Sequence, residues 1–372
     1  MTSTAMPLEG LRVVDISAVL AGPHTARYLA DFGADVIKVE SPTGDTVRGM
    51  GWRDPDDGAT YWWKYTNRGK RTMAADLKDP EALATVRSLI AEADVLIENF
   101  RPGKLEALGL DPADLIAENP KLVILRVTGF GQTGPYRNRP GFATLAEAMS
   151  GFAAINGEAE GGPLLPPIAL TDEVTGIVGA FAVMVGVHSG VGQVIDVSLL
   201  DSMFQLMGPL AAAWLDQGFL QERMGSQLPY SVPRGSYQTR DGVWLALSAS
   251  SDTVAARVMD LLGFGGDDRF STFQGRVDHR DIVDGSLRDW IAARDAEDVM
   301  ATFGELQIAA APILDTKGIV EDPHAIAREL VIEVDGMPMQ NVVARLSETP
   351  GKVRWAGRDH DADGAEIREQ GW

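Results

Sequence analysis

The chain has no cysteine. Disulfides, thiolate metal sites and cysteine nucleophiles are therefore excluded. Positive charge is scarce, with 33 Lys and Arg against 53 Asp and Glu and a net charge of −20 over 372 residues. This balance argues against nucleic acid or an anionic membrane as a partner. No G-x-G-x-x-G motif occurs, so the fingerprint of nicotinamide and flavin sites is absent. Met1 to Glu9 lack the basic and apolar blocks of a secretory signal, which predicts a cytosolic protein. There is no internal repeat and no low-complexity segment. A chain that is 45% apolar remains, enough for a full core and for two domains rather than one.

The most informative stretch runs from Pro163 to Ser198. After Asp172 and Glu173 no charged residue occurs until Asp196, so two carboxylates stand at the mouth of a long segment expected to be buried. One reading is a core helix with Thr171 or Asp172 as N-cap, Glu173 in the first turn, and Gly176, Gly179 and Gly186 permitting close packing. A membrane span is a second reading by length. The glycines, His188, Gln193 and the lack of flanking Lys or Arg argue against it. A carboxylate at a helix start is also fixed in direction beside backbone donors, which suits a nucleophile.

The basic residues cluster. No acid lies between Glu118 and Glu147, where Lys121, Arg126, Arg137 and Arg139 occur, and Lys64, Arg68, Lys70 and Arg71 form a second island. Such islands hold phosphate-bearing ligands or, equally, balance nearby acids on a solvated face.

In chain order, Leu11–Ile16 reads as a buried strand, Ala21–Phe32 as a helix, and Asp35–Val39 as a second strand, with Gly22 at a turn where a ligand can approach. Strand-like Met73–Leu77, Asp94–Ile97 and Leu122–Leu125 follow, with helices started by Asp79-Pro80 and Asp111-Pro112. This alternation predicts an α/β fold with a mostly parallel sheet that binds ligands beyond its carboxyl ends. Gln193–Val197 is a further strand and Leu199–Trp214 one long apolar helix, whose Met203, Phe204 and Met207 are expected in the core. Gln221–Arg234 reads as a linker and Asp241-Gly242 as a hairpin turn. The expected division is a large domain over 1–220, a smaller α+β domain over 227–322, and a tail, 323–372, returning to the first. Trp52, Tyr61, Trp62 and Trp63 read either as an apolar pocket wall or as core.

Taken together and in order, these pieces resemble the class III CoA-transferases, the family of formyl-CoA transferase and carnitine CoA-transferase. The likeness rests on Gly10–Asp15, Ala21-Gly22-Pro23, Leu29–Glu40, Asn67–Arg71, Glu98–Gly103, Thr128–Pro135, Pro140-Gly141-Phe142, Asp172 with Gly176, Glu321–His324 and Thr349-Pro350-Gly351. The resemblance implies a Rossmann-like large domain, a smaller domain and an interlocked homodimer. It implies Asp172 as the catalytic carboxylate, and coenzyme A lying near Leu20, Ala21, Ala75, Asp76, Asn99, Phe100 and Arg101. The substrates implied are an acyl-CoA thioester and a carboxylic acid, with no metal and no permanently bound cofactor.

Departures bear on the substrate. Many transferases carry Phe-Asp after the Pro-Gly; here the text is Gly141-Phe142-Ala143-Thr144. The glycine-rich loop of the formyl enzyme has no counterpart around Tyr230–Gly235, so formate and oxalate are not favoured. The alpha-methylacyl-CoA racemase type shares the fold but needs a His base in that same segment. The histidines are His24, His188, His279, His324 and His360, so a transferase is favoured. A CoA-binding protein without catalysis stays open for as long as Asp172 can be only a cap.

Overall fold

The computed structural model describes residues 5–372. The chain divides into two compact units, one comprising the chain up to Phe152, Pro166–Gly208 and Pro323–Trp372, the other Ala153–Leu165 and Pro209–Asp322.

The first unit is built on a six-stranded parallel sheet: β1 (Arg12–Asp15), β2 (Asp35–Glu40), β3 (Arg71–Ala74), β4 (Val95–Glu98), β5 (Val123–Thr128) and β6 (Gln193–Ser198), in the order β3-β2-β1-β4-β5-β6. Val13, Val14, Ile37, Leu96, Ile97 and Ile124 have no exposed surface. Runs of this kind are what a parallel sheet covered on both faces requires. The two Asp-Pro pairs start helices as their chemistry dictates. Asp79 and Asp111 accept from the N–H of Glu81 and Ala113 at 3.4 and 2.8 Å, ahead of Pro80–Ala91 and Pro112–Glu118. Strand order reverses between β1 and β4, and the crevice at that switch point is where open sheets bind ligands.

The central helix, Leu170–Ser189, packs by its glycine face on α1 (Ala21–Asp31). A Cβ on Gly176 would lie 2.6 Å from the His24 Cβ, and one on Gly179 would lie 2.4 Å from Thr25 Oγ1, so the close approach depends on both glycines. The expectation of an all-round buried helix is corrected: Ile177, Phe181 and Val185, four residues apart, are 51%, 73% and 54% exposed. Gly22 also differs from its expected role. It is buried inside α1, where a Cβ would strike the Ser17 side chain at 2.4 Å, so it serves packing rather than ligand approach.

The apolar run Leu199–Trp214 is not one helix. Gly208, at φ 56°, and Pro209, which has no N–H to donate, break it into Leu199–Gln205 and Leu210–Gln217, and the chain passes to the second unit at that point. Met203 reaches the core, whereas Phe204 is 52% exposed.

The second unit has its own antiparallel sheet, β7 (Arg234–Gln238), β8 (Trp244–Ser248) and β9 (Ala310–Pro312). The β7–β8 hairpin turns at Asp241-Gly242, and its core includes Tyr237, Leu247, Val258, Leu287 and Phe303. The tail lies on the first unit. Its hairpin, β10 (Val331–Val334) with β11 (Met337–Gln340), receives a hydrogen bond from Arg68 at the Gln340 carbonyl. Beyond it the Thr72 hydroxyl donates to Asp359 O at 2.7 Å and Trp372 Nε1 to Leu89 O at 3.0 Å.

Candidate functional site

The chain leaving β1 forms the first wall of the site, and a buried charge network holds it. Asp15 and Lys38 are 0% and 1% exposed; Ser17 donates its N–H to Asp15 at 3.0 Å, and Lys38 donates to the Ser17 carbonyl. Burial alone would raise the Asp15 carboxyl, but Lys38 and Lys70 beside it outweigh burial and hold it below its usual range. Burial lowers Lys70 to about 8 in spite of its 3.0 Å contact with Asp15. Above this network Val19 sits at φ 68°, a left-handed conformation that β-branched residues avoid, with its N–H aimed at the Asp45 carboxylate at 3.2 Å.

The chain leaving β4 is tied to the first wall. Asn99 accepts from Ala18 N–H at 2.8 Å and donates to Ala18 O at 2.7 Å, so its amide fastens the two loops across the switch point. A cavity of about 630 Å³ opens there. Leu20, Ala21, Asn99, Phe100, Arg101 and Asp172 all line it. Ala75 and Asp76 line a neighbouring cavity of about 360 Å³ that shares Ala18, Val19, Phe100 and Lys104 with the first. Residues separated by up to 152 positions in sequence are thus gathered along one groove.

The charge around that groove corrects the reading of the basic islands. Lys64 is within 2.6 Å of both Asp54 and Asp57, Arg68 is 2.6 Å from Asp31, and Arg71 is 2.8 Å from Asp35. With Lys70 on Asp15, that island is consumed by internal pairs and has no charge left for a ligand. Arg126 is likewise spent, 2.6 Å from Glu98 and 2.8 Å from Glu106. Lys121, which lies off the cavity, Arg137 and Arg139 remain; the two arginines line the cavity with Arg101 and Lys104, making four cations there. These four cations are exposed, and among the described residues none has an acidic partner. Unpaired guanidinium and ammonium groups on a chain of net charge −20 concentrate positive charge at this cavity. No group of His, Asp and Glu among the described residues is placed to hold a metal ion.

Asp172 and Glu173 have opposite surroundings. The helix N-cap is Ala169, without a side-chain cap bond, which places Asp172 at the third helical position; neither it nor Thr171 is the cap, and that reading is overturned. Thr171 instead donates to the buried Glu147 at 2.9 Å. The Asp172 carboxylate has no hydrogen-bond or ion-pair partner among the described residues and faces the 630 Å³ cavity. Burial, followed by the charges of Glu147 and Glu173, raises it to about 6. Glu173 points away, 2.6 Å from Arg27 and 2.7 Å from His24 Nδ1, and also accepts from the Tyr28 hydroxyl. Burial would raise Glu173, but His24, Arg27 and Tyr28 overcome it and hold it far below the usual carboxylate range. One acid is unpaired at a cavity wall; its neighbour is held by three side chains.

On the Glu173 side lies a mostly apolar cavity of about 590 Å³ walled by Trp52, Tyr61, Trp62 and Tyr65. Trp63, at 1% exposed, is core, so the aromatic cluster divides between the two roles foreseen for it.

The sequence of residues 8–361 matches the family model described as CoA-transferase family III. The chain belongs to that family. It is 39% identical to a succinyl-CoA–D-citramalate CoA-transferase of Chloroflexus aurantiacus, over 94% of this chain and 90% of the relative. It is 36% identical to a succinate–glutarate CoA-transferase of Agrobacterium fabrum, over 94% and 92%. A crystal structure of a CaiB/BaiF family protein from Brucella suis superposes with a TM-score of 0.86 at 33% identity, covering 99% of this chain and all of that one. The protein is accordingly a class III CoA-transferase, whose substrates are a CoA thioester and a carboxylate.

Proposed function

We propose that Asp172 is the nucleophile of a thioester exchange. Its carboxylate attacks the donor acyl-CoA carbonyl and expels CoA thiolate, leaving an aspartyl anhydride. The thiolate then attacks the Asp172 carbonyl, releasing the donor acid and leaving an aspartyl-CoA thioester. The acceptor acid attacks that thioester, and the thiolate returns to the new anhydride, giving the new acyl-CoA and restoring Asp172. The number of thioester bonds is conserved, so the sequence of steps needs no ATP, metal or redox cofactor. The observation that carries this reading is the Asp172 carboxylate: unpaired, desolvated and at the wall of the cation-rimmed cavity. A carboxylate raised to about 6 is still ionised at neutral pH and is more basic, hence more nucleophilic, than an ordinary one. No histidine lines that cavity, which disfavours racemase chemistry at the same position. Turns containing Gly129 and Gly141 line it and are the proposed source of oxyanion donors. Mass spectrometry of the protein incubated with a panel of acyl-CoAs tests the proposal. A CoA adduct localised to the peptide bearing Asp172 is expected; an adduct elsewhere, or exchange with no adduct under any quench, would remove the covalent route.

In this proposal CoA lies along the groove lined by Leu20, Ala21, Ala75, Asp76, Phe100 and Arg101, with Asn99 holding the wall and the phosphates against the free cations. Dicarboxylic acids, as named for the relatives, are the favoured substrates, in the cytosol. Arg101→Ala and Arg137→Ala should each weaken CoA thioesters by about 1–3 kcal/mol, the scale of a charge-assisted hydrogen bond, and leave stability unchanged because neither side chain has an internal partner. A matching loss of stability would mark either residue as structural.

We further propose an interlocked homodimer, supported by the exposed stripe of Ile177, Phe181 and Val185, which a second copy would cover. Sedimentation should give a dimeric mass for the parent chain, and Phe181→Glu should yield monomer or aggregate. A fully active monomer would rule the assembly out.

A further inference from the structure

The second unit has a cavity of its own, about 970 Å³, lined wholly by its own residues. Arg223, Arg240, Arg280 and Arg288 stand on its wall with two acids, Glu158 and Asp281. Arg240 is accounted for, meeting Asp295 through both ends of its guanidinium at 2.9 and 2.5 Å. The others are not. Arg280 gives one nitrogen to the carbonyls of Leu228 and Pro229 at 2.7 and 3.0 Å, while its Nη1 is buried with no hydrogen-bond partner and 4.0 Å from Asp284. Asp284 is already occupied, accepting from Gln227 at 2.7 Å and from the Tyr237 hydroxyl at 3.2 Å. Arg223 reaches only the Ala154 carbonyl, at 3.3 Å, and leaves its buried Nε without an acceptor. Arg288 is exposed and makes no direct ion pair among the described residues, its charge reaching Asp284 only through space.

A guanidinium stays charged at any working pH, and a buried donor with no acceptor is costly. The buried Nε of Arg223 and Nη1 of Arg280 lack acceptors, although Glu158 and Asp281 stand on the same wall. Arg280 and Arg288 lie two turns apart on the Arg280–Ala292 helix, about 12 Å along its axis, and Arg223 comes from a different segment. Separated cationic points of this kind suit a ligand with separated anionic groups. Met224 and Trp244, the latter 48% exposed, add apolar surface to the same wall.

We propose that this cavity binds a small organic acid bearing two or more carboxylates, whose oxygens accept from Arg223, Arg280 and Arg288 and whose carbon body rests on Trp244 and Met224. The binding requires neither Asp172 nor CoA, so it stands or falls apart from the transferase chemistry.

Calorimetric titration of the whole protein with citrate and with succinate, alongside butyrate and inorganic phosphate, tests it. Saturable binding of at least one of the two polycarboxylates is expected, at least tenfold weaker in Arg288→Gln and in Arg223→Gln and unchanged in Arg101→Ala. Arg288 is exposed, so its replacement is expected to fold, and circular dichroism of the unliganded variant verifies this. The proposal is overturned if neither polycarboxylate binds, if their affinity survives both arginine replacements, or if Arg101→Ala abolishes it. Phosphate or butyrate binding as tightly as citrate, with the same dependence on Arg288, would overturn the assignment to an acid with several carboxylates.

Discussion

Replacing Asp172 by Asn should lower thioester exchange by several orders of magnitude and, at the same time, make the protein more stable at neutral pH. The first half follows from chemistry: an amide forms neither an anhydride nor an acyl-CoA thioester. The second half follows from surroundings. Burial and the neighbouring acids raise the folded carboxyl from the ordinary 3.8 to about 6, which disfavours the charged form in the folded state. Well below pH 3.8 the group is neutral folded and unfolded and contributes nothing. As pH rises the unfolded chain ionises first, so a penalty opens as pH passes 3.8 and is complete once pH is well above about 6. Its ceiling is about 3 kcal/mol, and the lost attraction of a first-turn carboxylate to the helix dipole takes back about 0.5 kcal/mol. The Asn variant should therefore be about 1–3 kcal/mol more stable at pH 8, with the gap closing as pH falls below 3.8, by urea denaturation across that range. The parent's exchange rate should fall below about pH 6 with the protonation of the same group. A folded Asn variant that exchanges at near-parent rate would end the nucleophile assignment; an inactive variant that is also less stable at pH 8 would make Asp172 structural.

The parallel sheet was legible because its central strands are buried on both faces and carry short apolar runs, Val13-Val14, Val95-Leu96-Ile97 and Val123-Ile124-Leu125, alternating with helices started by Asp79-Pro80 and Asp111-Pro112. The groove residues were legible through the family resemblance, since no local pattern announces that Ala75 and Leu20 meet along one groove. What failed did so for want of partners. The basic run Lys64–Arg71 reads as an anion site in one dimension, but Asp15, Asp31, Asp35 and Asp54, which neutralise it, lie up to 55 positions away. Asn99 reads as a ligand contact; it lines the cavity, and its amide also bonds Ala18 in both directions. The Leu199–Trp214 run has helical periodicity throughout, and the Gly208-Pro209 pair inside it was the available signal for the break.

Glu173 is the sharpest such case, since the sequence offers it only as a first-turn acid beside Asp172. The structure gives it a network of its own. Arg27 is 2% exposed, and a neutral amide would leave its buried guanidinium without its direct ion-pair partner. Gln would also offer one acceptor oxygen where the carboxylate now serves Arg27, Tyr28 and His24. Breaking a fully buried pair costs about 3–5 kcal/mol; Glu173 is 32% exposed, so water softens the loss to about 1.5–3 kcal/mol. Because the folded carboxyl is held below its unfolded value, this stabilisation is fully present above the unfolded value and is lost as pH falls through the folded one. The parent's advantage over Glu173→Gln should therefore be full at pH 7 and shrink towards acid. Activity should behave differently: Glu173 lines the aromatic cavity and not the one holding Asp172, so exchange per folded molecule should stay within about tenfold of the parent. Removing its charge should also move the acid limb of the rate profile slightly to lower pH, since Glu173 is one of the acids that raise Asp172. Equal stability with exchange abolished would exchange the roles of the two carboxylates; weakened folding with exchange retained is the result these contacts require.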